Sequence, residues 1–232
     1  MGRYTSAYSN LRCGLNEVGS LRKIAAVKER SDPIGLRHEI NAVCRGAIVL
    51  LSAHLESYIK ELGEVVLDAL HVQCVSRTHL NDALFYHISK DLLDEISETR
   101  EPARIAKKVF DFVLSDLPLW SRTGPFPQPL PVERFNKGFS NPAFNKVRKY
   151  FNRFGYGDYK RDLKQRLKGD FSAAQNMVDH LVDTRNKIAH GDPNTTKTPK
   201  ELADMISIIR RYGMATDAVF AAWCKKNICN IR

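Results

Sequence analysis

Between residues 35 and 70 the chain carries apolar side chains at Ile40, Val43, Ala47, Leu50, Leu51, Leu55, Ile59, Leu62, Val66 and Ala69. Steps of three and four bring each side chain back to one face of a 3.6-residue helix, so this stretch predicts one long or kinked helix with a buried side. Similar patterns cover residues 80–96 and 102–114, and alternating runs bounded by Asn-Gly or Asp-Gly turns are absent. The expected class is therefore all-α. No stretch approaches the roughly 20 continuous apolar residues that cross a bilayer, so no membrane association is expected.

Helix starts are written into the sequence as capping residues placed before proline: Asp32 before Pro33, Asn141 before Pro142 and Thr198 before Pro199. Thr198 with Glu201 adds the pattern of a capping box, and Leu202, Met205, Ile206, Ile209, Tyr212, Phe220 and Trp223 follow at helical spacing. That segment is the expected closing helix. Prolines 118, 125, 127, 129 and 131 remove backbone donors, which rules out helix and predicts a loop wrapping the bundle.

With 232 residues and 43% hydrophobic content, the chain can bury a real core. The expected organisation is one domain over residues 1–232. It comprises an N-terminal arm or helix (1–31), the first helices of a bundle (34–116), a Pro-rich loop with a basic aromatic insertion (117–168), and a motif helix with a closing helix (170–226). The N-terminus lacks the apolar run of a signal peptide. Five scattered cysteines, Cys13, Cys44, Cys74, Cys224 and Cys229, form no pair at metal-ligand spacing and point to neither a disulfide framework nor a zinc site. A reducing cytoplasm is the expected location, no cofactor or metal is indicated, and Cys44 reads as a small core residue.

The net charge is +10, and it is concentrated. Residues 132–168 hold 11 basic side chains against 3 acidic ones. Among them Arg148, Lys149, Arg153, Lys160, Arg161 and Lys164 are candidate RNA contacts, because cations release counterions from a polyphosphate. The aromatics between them would either stack on unpaired bases or form a buried stripe, as the spacing of Phe144, Val147, Phe151 and Phe154 suggests. Tyr156 and Tyr159, in the G-Y-G-D-Y loop, are expected to be exposed.

The sharpest chemistry lies in residues 181–192, L-V-D-T-R-N-K-I-A-H-G-D. A guanidinium (Arg185) grips phosphate oxygens in a fork, and an imidazole (His190) five residues on both takes and gives a proton near neutrality. On an ideal helix the two are about 140° apart around the axis and about 7.5 Å along it, so a single chain splays them and a two-fold axis would bring two pairs into one cleft.

With Asn186 after the arginine and Gly191 after the histidine, this block resembles the R-x4-H signature of HEPN domains. Residues 47–62, A-I-V-L-L-S-A-H-L-E-S-Y-I-K-E-L, resemble the early core helix of the RiboL-PSP subgroup. The likeness extends roughly over residues 34–225. It implies a HEPN-like helical bundle that forms homodimers through the R-x4-H face and, in many members, cuts RNA without a metal. Many relatives have lost that activity. It also implies a defence or toxin-like setting, with control by an antitoxin or sensor protein encoded nearby.

In this reading His190 removes the 2′ proton of RNA, Arg185 neutralises the charge that builds on the phosphorane, a second His190 from a dimer partner protonates the departing 5′-oxygen, and a 2′,3′-cyclic phosphate results. Asn186 would hold a phosphate oxygen or the imidazole. Glu56 either pairs with Arg185, as its place in the resembling helix implies, or forms an i,i+4 pair with Lys60. His54 is read as a core histidine outside the site. The alternative function is a catalytically inactive HEPN module that serves as an RNA-binding or protein-interaction scaffold. DNA binding through a helix-turn-helix is disfavoured, because no helix pair with a short glycine turn is evident.

Overall fold

A computed structural model describes residues 4–232; Met1, Gly2 and Arg3 of the N-terminal arm lie outside the described residues. Among the described residues nine α-helices follow in order: α1 (Ser6–Ser31), α2 (Arg37–Val72), α3 (Asp82–Glu98), α4 (Pro102–Ser115), α5 (Val132–Asn136), α6 (Phe144–Asn152), α7 (Tyr159–Leu167), α8 (Phe171–Ala189) and α9 (Pro199–Asn227). Short 3-10 turns join some of them, and no strand occurs among the described residues.

The centre is α2, 36 residues long. Its expected stripe is largely sealed: Ile40, Ala47, Leu51, Leu55, Ile59, Leu62 and Val66 are buried, joined by Cys44, Ile48, Tyr58, Leu67 and Leu70. Each leucine, isoleucine or valine among them is worth roughly 1.5–3 kcal/mol relative to exposure. By length and composition alone α2 would reach across a bilayer; here its apolar side chains instead form the inner wall against α1, α8 and α9. Burial pushes the Cys44 thiol up to about 11, as expected of a core cysteine.

α1 packs along α2 after a short turn. Asp32 does not cap α2: its Oδ1 accepts from the N–H groups of Ile34 (3.2 Å) and Gly35 (2.8 Å), closing a turn that precedes the helix. The capping box of α9 forms as read, with Glu201 N–H donating to Thr198 Oγ1 (3.2 Å) and Thr198 N–H to Glu201 Oε2 (2.8 Å). Thr5 and Arg232 meet on α9. Buried Asp217 accepts from the Thr5 hydroxyl and from Arg232 Nη2 (2.9 Å), which fixes the α1 N-cap and the C-terminus to one carboxylate.

The Pro-rich segment is non-helical except for a 3-10 turn at Leu117–Trp120. It is pinned by Arg77, whose guanidinium donates to the carbonyls of Pro118 (2.7 Å), Thr123 (2.7 Å) and Gly124 (3.1 Å). Five prolines leave carbonyls without intrasegment donors, and one arginine fork satisfies several of them.

The following segment overturns one expectation. Tyr156 and Tyr159 are fully buried, as are Phe135, Phe139, Phe144, Tyr150, Phe151 and Phe154. The Tyr159 hydroxyl bonds Tyr212 and Thr216 at 2.9 Å each, and Phe151 packs on Phe220 with ring centroids 4.5 Å apart. Gly155, with φ near +90°, turns the chain so that both tyrosines point inward rather than off a loop. The rings hold α6 and α7 on α9, and they are not a stacking platform for bases.

Candidate functional site

Helix α8 buries Ala174, Val178, Leu181 and Val182. Arg185, one turn beyond Leu181, follows that face outward, so its stem is half-buried and its guanidinium emerges beside α2. There it shares a cleft of about 260 Å³ with Ser52, Ala53, Glu56, Ser57 and Lys60. Ser52, Glu56 and Lys60 fall at steps of four on α2, which is why one helix face supplies them.

Two amide oxygens hold the arginine. Arg185 Nη1 donates to Asn141 Oδ1 (3.0 Å) and to Asn186 Oδ1 (3.1 Å). Asn141 was expected to cap a helix. Instead α6 starts at Phe144, whose N–H is taken by Asp179 of α8 (2.8 Å), and Asn141 turns its side chain to the arginine. Its backbone lies at φ +53, in the left-handed region that asparagine tolerates better than most residues.

Glu56 forms the Lys60 pair, at 2.7 Å through Oε1. It has no ion pair with Arg185; its other oxygen accepts from Asn141 N–H at 3.0 Å. The carboxylate therefore reaches the arginine through Asn141: its hold is on the residue that positions the guanidinium. Nothing in the local sequence around Glu56 or Arg185 signals this third residue, because Asn141 is 44 positions from Arg185.

His190 stands elsewhere. It is the C-cap of α8, exposed and outside the Arg185 cleft, and its ring makes no hydrogen bond with any described residue. Gly191 N–H donates to Ile188 O and Asp192 N–H to Lys187 O, both at 3.0 Å, with Gly191 at φ +82. This is a Schellman ending, which fixes where the imidazole leaves the helix. Arg45 of α2 secures the following loop by donating Nη1 to Asp192 O (2.6 Å) and Thr195 O (3.0 Å). A single chain thus offers Arg185 and Asn186 in one place and His190 in another. His54 faces Glu17 of α1 at 3.1 Å and takes no part.

The basic set divides. Arg148 and Lys149 are exposed and border a cleft of about 240 Å³ with Asn152 and Gly157. Lys160 and Lys164 are exposed, and Arg161 is matched by Asp158 (2.9 Å) and Asp162 (3.0 Å). Arg153 is internal in function: Nη1 donates to Phe135 O, the guanidinium lies 5.1 Å from the Tyr150 ring, and burial lowers its pKa. Of its donors, Nη1 is thus taken by backbone carbonyls. Lys146 donates to Ser140 O (3.1 Å), in the loop that also carries Asn141.

A family model described as RiboL-PSP-HEPN matches residues 19–221, which includes α2, the aromatic segment and α8. Neither a curated protein nor a solved structure gives a match.

Proposed function

The chain belongs to the RiboL-PSP-HEPN family, and on that footing we propose that it is a metal-independent endoribonuclease acting through the 2′-hydroxyl of its substrate, in a defence or toxin-like role. The observation that carries this is Arg185, held half-buried by two amide oxygens yet open to a cleft of about 260 Å³. A guanidinium oriented in advance stabilises the developing phosphorane charge without reorganising at the moment of reaction. His190, exposed and with no side-chain hydrogen bond to any described residue, removes the 2′ proton, and the His190 of a second copy protonates the departing 5′-oxygen, each a contribution of about 10²- to 10⁴-fold.

Since one chain holds the two groups apart, the proposed catalyst is a homodimer joined across the R-x4-H face. The shared cleft would then combine Arg185, Asn186 and His190 of both copies. Control by a neighbouring antitoxin or sensor protein fits a chain that carries both groups itself.

Incubation with labelled RNA in EDTA tests the reading. Wild type should give a 2′,3′-cyclic phosphate, while Arg185→Ala and His190→Ala should each lose at least about 10²-fold in rate. No product from wild type, or equal rates in the variants, refutes catalysis. The second reading, an RNA-binding scaffold, is favoured by the separation of Arg185 and His190 in one chain; it requires salt-sensitive binding without product.

A further inference from the structure

The buried rings of the basic segment support one aromatic that remains at the surface. Trp223, near the end of α9, is half-buried. Its indole lies on the sealed Tyr156 ring, with centroids 4.7 Å apart and planes within 15°. Held from that side, it lines two adjoining clefts. One, of about 580 Å³ between α7 and α9, also takes Arg161, Arg166, Val219 and Lys226. The other, of about 620 Å³ beneath the loop after α2, takes His79, Asn81 and again Lys226. Trp223, Lys226 and Asn227 border both, so the two form one groove.

The charges in the groove are not all matched. Asp158 and Asp162 both face Arg161, and Tyr156 donates to Asp162 at 3.0 Å. Arg166 and Lys226 are exposed and make no ion pair or side-chain hydrogen bond with any described residue. A flat indole sharing one groove with two unclaimed cations offers the two chemistries of a single strand, a face for a base and charge for phosphates. An acidic peptide would meet the cations but would leave the indole without a planar partner.

We propose that this groove binds a single-stranded polynucleotide, with one base against Trp223 and flanking phosphates at Lys226 and Arg166. The site is separate from the Arg185 cleft and stands whether or not the chain cleaves RNA.

Two uncleavable probes, short 2′-O-methyl RNA and oligo-dT, measured by anisotropy over a range of salt, test it. Trp223→Leu should weaken binding about 5- to 150-fold, the value of one stacked base. Arg166→Gln with Lys226→Gln should lower the slope of log affinity against log salt by about 1.4, or about 0.7 per phosphate on a single strand. That surface pair supports no packing, so its effect cannot come from misfolding, which unchanged melting would verify. Stronger binding of RNA than of DNA, or the reverse, identifies the strand. Wild-type affinity in both variants, or displacement of neither probe from wild type except by polyglutamate, overturns the proposal. Failure of wild type to cleave RNA while these effects hold removes only the proposed catalysis.

Discussion

Asn141 Oδ1 accepts from Arg185 Nη1 at 3.0 Å, while the backbone N–H of Asn141 donates to Glu56 at 3.0 Å. One residue from the loop before α6 thereby ties α8 to α2 at the point where the guanidinium meets the cleft. Removing the amide alone is a clean test, because Asn141 sits at φ +53 and glycine accepts that conformation. Asn141→Gly should leave melting nearly unchanged and slow single-turnover RNA cleavage by about 10- to 100-fold, the worth of one hydrogen bond to a charged group. An unchanged rate would show that Asn186 alone orients the arginine.

Gly191 ends α8 at φ +82 with no atom near the position of a Cβ. Alanine there meets no clash, and its whole cost is the left-handed backbone, about 1–2 kcal/mol. Gly191→Ala should lower the melting temperature by a few degrees and reduce cleavage more than that stability loss explains, since the turn sets the direction of His190. Parallel melting and rate measurements separate the two effects. A variant that melts lower but cleaves as wild type would mean that the turn does not position the imidazole.

Asp217 is buried and joins Thr5 to Arg232. Asp217→Ala deprives a buried hydroxyl of its partner and Arg232 of its carboxylate, a loss of about 2–3 kcal/mol. In a chain of this size that lowers the melting temperature by roughly 4–12 °C. Asp217→Asn keeps an acceptor for Thr5 and should cost less. Thermal melts by circular dichroism decide it, and equal melting of Asp217→Ala and wild type would contradict the tie.

His87 is pressed against Phe135, with ring centroids 6.2 Å apart, and burial with the nearby Arg153 and Lys90 charges lowers its pKa to about 4. In the unfolded chain the imidazole takes a proton near 6.5. Between those values the unfolded state binds more protons, so stability falls as the pH is lowered through that window, by on the order of 2–3 kcal/mol once below about pH 4. His87→Gln should flatten this part of the stability curve. Denaturant titrations at several pH values would show it, and an unaltered slope in the variant would assign the loss to other groups.

The long apolar spacing of residues 35–70 gave α2 nearly to the residue, because a helix that must bury one face writes that face into every third and fourth position. The Thr198–Glu201 box was equally legible, since both its partners lie within one turn. Asn141 shows the opposite case. Asparagine before proline satisfies the rule for a cap, yet a cap and an arginine acceptor need the same side-chain oxygen, and only the approach of α8 decides which donor reaches it. For Tyr156 and Tyr159 the flanking glycines read as an exposed loop, whereas a turn also allows rings to fold back onto a neighbouring helix.

Local spacing thus determined an all-helical chain, the helix that carries Arg185 and His190, and the turn that ends it, because those features rest on contacts within five residues. Tertiary packing decided what local spacing leaves open. It placed Asn141 rather than Glu56 against the arginine, it turned Arg153 and the tyrosines inward, and it left Trp223 at the surface beside cations that no described residue pairs. A hydrogen bond across 44 residues or a ring packed on a distant helix is set by which surfaces meet in space, and no local period records it.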